Sequence, residues 1–273
     1  MIPVRHIDSI KIWRLEDFLS GKDMVQPLHR HSFYYILALQ KGAGEHIIDF
    51  VPYKVTGNSV FLLRPGQVHQ LTLKKQSTGY LVQFGEDFYP TLQKSPEPFK
   101  RSGHRTFCAL EAGRSKKLFS ILAAMLEEND ARQERYLDVI RAGLEMFFIE
   151  LWRQCHQTAP ADPTTGYIRE RLEALLALIE RHVSTHREMA WYAGKLRLTS
   201  YQLNAATKTA LGKTCSEVID AHIVLEAKRH LLATSSQVKQ IAGDLGYEDV
   251  SYFIRFFRKH TGYSPESFRQ HFG

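Results

Sequence analysis

Hydrophobic positions fall into two regimes along the chain. Up to residue 90 they form short runs at 34–39, 46–50, 60–63, 68–73 and 80–84. Lys41-Gly42-Ala43-Gly44, Thr56-Gly57-Asn58 and Arg64-Pro65-Gly66 separate several of these runs. Evenly spaced short runs bounded by Gly, Pro and Asn predict β-strands closed into a small barrel or a double-sheet jelly roll. Residues 91–113, with their Pro, Lys and Gly, predict a surface loop with one more strand at 107–110. From there the period becomes helical. Leu118, Ile121, Leu122, Met125 and Leu126 mark a helix at 115–129, and Leu137, Ile140, Leu144, Phe147, Phe148, Leu151 and Trp152 mark one at 133–157. The segment 158–166, TAPADPTTG, has no residues for a core and predicts a linker. Beyond it Leu172, Leu175, Leu176 and Ile179 predict an amphipathic helix at 167–183, and Ile219, Ile223, Ala227 and Leu231 another at 215–233.

The stretch 238–272 is the most informative. Ile241, Ala242 and Leu245 make one short apolar helical face, and Gly246 follows where a helix commonly ends in a left-handed residue. Asp249 opens a second helix with Phe253, Phe256 and Phe257 on one side and Arg255, Arg258 and Lys259 around them. Gly262 ends it, and Ser264-Pro265-Glu266 caps and starts a third. A short helix, a tight turn and a basic second helix form the helix-turn-helix used on DNA. The chain does this twice. Tyr192, Ala193, Gly194 and Leu196 match Ile241, Ala242, Gly243 and Leu245; Leu203, Lys208, Gly212 and Thr214 match Phe253, Arg258, Gly262 and Ser264 with one extra residue in the second copy. Such self-similarity marks a duplicated unit. Two units ~50 residues apart can set helices in successive major grooves, ~34 Å apart.

Glu226-Ala227-Lys228-Arg229, Leu231-Leu232, Ile241-Ala242, Leu245-Gly246-Tyr247, Ser251-Tyr252-Phe253, Phe257-Arg258, Gly262 and Ser264-Pro265 together resemble the AraC/XylS family of bacterial transcription regulators. The resemblance is dense over residues 168–272 and looser before. Within the first half, PLHRHSF at 27–33 and GNSVFLLRPGQVHQ at 57–70 resemble the two cupin motifs. The expected fold is therefore α+β in two domains. Residues 1–157 form a cupin-like jelly-roll barrel followed by two helices, an effector-binding and dimerisation domain. After the linker at 158–166, residues 167–273 form an all-α DNA-binding domain with two helix-turn-helix units joined by a bridging helix.

The resemblance implies double-stranded DNA, a small-molecule effector, a second copy of the chain and RNA polymerase as partners, with activation as the sign of control. Dimerisation falls on the two helices after the barrel, above all the longer second one. His29 and His31 alternate on a strand and share a face, and His69 follows the Pro65-Gly66 turn. Metal-binding cupins carry a glutamate just after the second histidine, but here Tyr34, Tyr35 and Ile36 stand there. No metal or other cofactor is expected; His29, His31, Tyr35, Arg64 and His69 are the candidate effector contacts. Of the aromatics Phe33, Tyr34, Tyr35, Phe50, Tyr53, Phe61 and Phe84, alternation assigns about half to the core.

Candidate DNA-reading residues are Tyr201, Gln202, Asn204 and Lys208 in the first unit, and Asp249, Val250, Tyr252, Arg255 and Lys259 in the second. Arg255 can pair with both acceptors of a guanine, and Gln202 or Asn204 with adenine. Ala205 stands where relatives commonly carry arginine. Arg197 occupies the first turn where the second has Gly246, so the two turns should differ in shape.

Charge adds little. The net charge is +7, and residues from 161 on hold 15 Lys and Arg against 12 Asp and Glu, so DNA binding rests on motif geometry rather than bulk charge. Cys108, Cys155 and Cys215 are odd in number and widely spaced, which fits free thiols in a reducing cytosol. There is no signal-peptide pattern and no run near the ~20 apolar residues of a membrane span, so a cytoplasmic, membrane-free protein is expected. No Ser/His/Asp motif, phosphate loop or carboxylate pair is present, and no catalytic residue is assigned. Two rivals stay open: a metal-dependent cupin enzyme fused to a DNA-binding part, and a DNA binder whose barrel only dimerises.

Overall fold

The computed structural model describes residues 4–5, 10–89, 106–156 and 163–272. The chain divides into two compact units, the first within residues 3–159 and the second within 160–273.

The first unit pairs two five-stranded sheets. One has the order β1 (Val4–Arg5), β3 (Met24–His31), β8 (Val68–Leu73), β5 (Gly44–Ile48), β6 (Val51–Val55). The other has the order β10 (Phe107–Ala109), β7 (Ser59–Leu63), β4 (Tyr34–Lys41), β9 (Thr78–Phe84), β2 (Ile10–Arg14). The pairings are antiparallel except for β1 with β3. Closing two such sheets face to face is the jelly-roll solution that the short-run pattern predicts. Strand β6 contains Pro52, which cannot donate to a ladder, and the strand accordingly lies at a sheet edge.

Strand β4 explains why the second sheet reads as nearly continuous hydrophobic sequence. Tyr35, Leu37 and Leu39 point inward, against Ile48, Phe61, Leu63, Leu71 and Leu73 from both sheets. Ile36 and Ala38 point outward, into a second cluster with Leu62, Val82 and Phe84. After the short α1 (Leu15–Leu19), the next helices, α2 (Ala112–Ala131) and α3 (Tyr136–His156), cover that outer face through Leu118, Leu122, Ile140, Leu144, Phe147 and Phe148. A strand covered on both faces loses its period-2 signal. Burying each such Leu, Ile or Phe stabilises the unit by roughly 2 kcal/mol. The expected aromatics divide between the two layers: Phe33, Tyr35 and Phe61 inside, Tyr34 and Phe84 under the helices.

The cysteine expectation needs correction. Cys108 on β10 and Cys155 in the last turn of α3 form a disulfide, with Cα atoms 6.1 Å apart and a sequence separation of 47. Cys215 alone is a free thiol, and it is buried. The two sulfurs meet because β10 lies at the sheet edge beneath the end of α3, a tertiary neighbourhood that spacing does not encode.

The second unit is helical: α4 (Pro163–His182), α5 (Met189–Lys195), α6 (Ser200–Leu211), α7 (Cys215–Ala233), α8 (Val238–Asp244), α9 (Val250–Thr261) and α10 (Pro265–Phe272). Helix α4 begins at Pro163, four residues before the expected start, with proline at the helix-start position it tolerates. Residues 163–166 of the expected linker are thus helical; 158–162 lie outside the described residues. No described helix is long and apolar enough to cross a membrane.

Candidate DNA-reading surface and barrel site

Two helix-turn-helix units, α5–α6 and α8–α9, share one local design. Thr199 caps α6 in a reciprocal box with Gln202: Gln202 N donates to Thr199 Oγ1 at 3.2 Å, and Thr199 N donates to Gln202 Oε1 at 2.9 Å. Asp249 caps α9, accepting from Ser251 N at 2.7 Å. Both recognition helices end on glycines in the left-handed region, Gly212 at φ 68° and Gly262 at φ 81°.

The two turns correct the expectation that they differ in shape. Arg197 adopts φ 55° and Gly246 φ 76°, both left-handed. Leu198 N donates to Ala193 O at 2.9 Å, and Tyr247 N donates to Ala242 O at 2.8 Å. The backbone is the same, and the difference lies in what stands against it. A Cβ on Gly246 would lie 1.7 Å from the Ser184 carbonyl oxygen, in the segment between α4 and α5. Glycine is therefore obligatory in the second turn, whereas the first accepts arginine. The same segment places the Arg187 guanidinium 3.8 Å from the centre of the Tyr247 ring. Tyr192 of α5 donates its hydroxyl to His186 O at 2.6 Å. Residues 184–187 thus touch both units. Burial pushes the hydroxyls of Tyr192 and Tyr247 up to about 12.

Helix α9 buries Phe253 and Phe257 completely and turns Ser251, Tyr252, Arg255, Arg258 and Lys259 to solvent. Helix α6 buries Leu203, Ala206 and Thr207 and exposes Tyr201, Gln202, Ala205, Lys208 and Thr209. Tyr201 is the most open of these, 83 % exposed. Val250 is half-buried. Asn204 is half-buried and accepts the backbone N–H of Cys215 at 2.9 Å, so its carbonyl oxygen holds the first turn of α7. Arg258 extends the outward stripe of α9 from Ser251 and Arg255 at helical spacing, a position legible in the sequence beside Phe257.

In the barrel, His29 and His69 are direct cross-strand partners on β3 and β8, with rings 4.2 Å apart. His31, two residues on, has its ring 5.0 Å from His69 and stacks on Tyr35 at 5.4 Å. His29 Nδ1 lies 2.8 Å from Pro27 O, and His31 Nδ1 lies 2.8 Å from Phe33 O. A carbonyl only accepts, so both Nδ1 atoms carry protons, and in the neutral ring Nε2 is then an acceptor. Arg64 sits half-buried at the end of β7, its main-chain N–H held by Gln67 Oε1 at 2.8 Å. A fourth ring completes the group: His46 Nε2 lies 2.9 Å from His69 Nδ1, and His46 is wholly buried. Burial above all, then the neighbouring His29 and His31, lowers the His46 pKa from 6.5 to about 3. His46 was missed because it belongs to no motif; its only signal is an inward position on β5. Among the described residues no three ligating side chains stand in a geometry that would hold a metal ion.

Two helix-turn-helix units on one bridging helix, following in sequence a β-barrel that holds a buried polar cluster, are the architecture of a ligand-binding, DNA-binding transcription regulator. Residues 20–141 match a family model described as an AraC-like ligand binding domain, and residues 192–271 match a helix-turn-helix domain. The chain belongs to the AraC family of transcription regulators. It is 26% identical over 256 residues to the HTH-type transcriptional activator RhaS of Pectobacterium carotovorum subsp. carotovorum, covering 89% of this chain and 87% of that one. It is 25% identical over 259 residues to RhaS of Yersinia pseudotuberculosis serotype I, covering 89% of each. Among solved structures it is similar to ToxT from Vibrio cholerae O395, 15% identical with a TM-score of 0.45, covering 96% of this chain and 97% of that one.

Proposed function

We propose that the effector binds against His29, His31, Tyr35, His46 and His69, with Arg64 at the margin, and that its binding changes how α6 and α9 are presented to DNA. The observation that carries this is the burial of four histidines inside an otherwise apolar barrel. Polar groups buried there cost stability unless they are hydrogen-bonded, and a set of them around one cross-strand pair makes a polar recognition surface. Effector control follows only if the ligand binds one arrangement of the protein better than another. The protein acts as a homodimer, supported by Val139 and Met146, exposed on α3 seven residues apart and so on one face. It activates transcription through RNA polymerase, in line with the relatives named as activators. No catalytic step is assigned to the barrel.

On DNA, Arg255 is proposed as the guanine reader of the second unit, flanked by Asp249, Val250, Tyr252 and Lys259. Tyr201, Gln202 and Lys208 serve the first unit, with Asn204 on the flank toward α7. A thermal-shift screen of the full chain against sugars, aromatic acids, fatty acids and divalent metals tests the barrel. One organic class should stabilise the wild type, by about 2.7 kcal/mol at a hundred times its Kd, and should lose that effect in His69→Ala. A shift with divalent metals alone would refute the proposal, and so would an equal shift in the variant.

A further inference from the structure

The two recognition helices are built on one frame but carry unequal charge. On α9 the outward positions include Arg255, Arg258 and Lys259; the corresponding positions on α6 hold Ala205, Lys208 and Thr209. The small side chains at 205 and 209 leave a groove of about 200 Å³ between α6 and α4, bordered by Tyr201 and Leu198 on one side and by Tyr167 and Arg171 on the other. Arg171 has its guanidinium 4.9 Å from the centre of the Tyr167 ring, one helical turn earlier on α4. Its Nε is buried within the groove wall and has no hydrogen-bond partner among the described residues. No described carboxylate forms an ion pair with it. The second unit shows the opposite arrangement. There the helix packed beside α9, α7, presents Asp220, 3.7 Å from His260 of α9. A cation from the flanking helix accompanies the cation-poor recognition helix, and an acid accompanies the cation-rich one.

We propose that Arg171 is a DNA contact of the first helix-turn-helix unit: it donates from α4, across the gap left by Ala205, to a backbone phosphate of the operator. The chemistry favours phosphate over a base edge. Arg171 lies on the helix beside the recognition helix, where the backbone flanks the major groove, and stacking on Tyr167 pre-orients a planar donor set suited to a phosphodiester. Tyr167 is then a positioning residue, and the first unit gains its anchoring charge without an arginine on α6.

The test uses the full chain and duplexes that it selects from a randomised pool. Arg171→Ala should bind the selected duplex about tenfold more weakly near 50 mM salt, narrowing to about threefold near 200 mM, because one phosphate contact is lost from the salt slope. A scrambled duplex should weaken by the same factor, and the selected base preferences should not change. Arg171→Lys should keep most of the affinity, since a point charge still serves a phosphate. Adding Ala205→Arg to Arg171→Ala should restore the salt slope. Arg171→Gln, which keeps the bulk in the groove, should lose the same contact with an unchanged melting temperature, so a folding defect in the alanine variant cannot imitate the result. Unchanged affinity and slope in Arg171→Gln would overturn the inference, as would a loss confined to one base pair. A wild-type chain that selected no duplex would overturn the DNA reading and this inference together.

Discussion

Gly246→Ala should unfold the 160–273 unit far earlier than the same change at Gly262, although both glycines end a helix in the left-handed region. Gly262 has φ 81° and open space where a Cβ would go. Alanine there meets only the left-handed penalty, about 1 kcal/mol. Gly246 has φ 76°, and its Cβ would lie 1.7 Å from Ser184 O and 2.8 Å from the Ser184 carbonyl carbon. Backbone cannot rotate away as a side chain can, so the 184–187 segment must retreat by more than about 1 Å to reach ordinary contact distance. That retreat removes the Arg187–Tyr247 stack, about 1–2 kcal/mol for a partly desolvated pair. With the left-handed penalty of about 1 kcal/mol the total comes to about 2–3 kcal/mol. For a unit of this size each kcal/mol moves the midpoint by roughly 4 °C, giving about 8–12 °C for Gly246→Ala against about 4 °C for Gly262→Ala. Calorimetry on the full chain would follow the two units as separate transitions. Midpoints for the two variants within 2 °C of each other would refute the close-approach argument.

The disulfide predicts one titratable thiol in the unreduced, denatured chain and three after reduction. Closing a 47-residue loop restricts the unfolded chain by about 4 kcal/mol, so reduction should lower the barrel's midpoint by roughly 10 °C; three thiols before reduction would contradict the pairing. The His46 ring gives a pH dependence. Its folded pKa is depressed to about 3 from 6.5, so below pH 6.5 the unfolded chain takes up a proton that the folded one resists. This contribution is complete above pH 6.5 and falls by roughly 1.4 kcal/mol per unit below it, about 2 kcal/mol by pH 5. His46→Gln should lose correspondingly less stability between those two pH values in urea unfolding, and identical pH profiles would remove His46 as the cause.

The sequence was most informative where local periodicity and tertiary packing demand the same thing. The stripe Phe253, Phe256 and Phe257 gives both the helix and its buried face, and the repeat of Tyr192–Leu196 in Ile241–Leu245 gives both turns. It was least informative where a feature depends on what arrives from elsewhere in the chain. Gly246 could be read as a turn glycine, but the Ser184 carbonyl that makes it obligatory comes from 62 residues earlier. Arg197 suggests a different turn by its side chain, yet its backbone adopts the same left-handed conformation as Gly246. Helical spacing places Asn204 among the candidate base readers but does not show its bond to the backbone N–H of Cys215, which lies across the loop at Gly212. Cys108 and Cys155 looked like isolated thiols because nothing in a 47-residue separation shows that β10 ends under α3.

The contact between His46 and His69 has one proton and two possible owners. If His46 Nε2 carries it, His46 Nδ1 is an acceptor and His69 Nε2 a donor; if His69 Nδ1 carries it, both outer atoms exchange roles. No heavy atom moves in this exchange. The barrel interior therefore offers two opposite hydrogen-bonding polarities at a single geometry. A hydroxyl, which both gives and takes, is matched by either, whereas a carbonyl or an ammonium fixes one. A ligand bound against this pair would set its tautomer without any movement of the two rings.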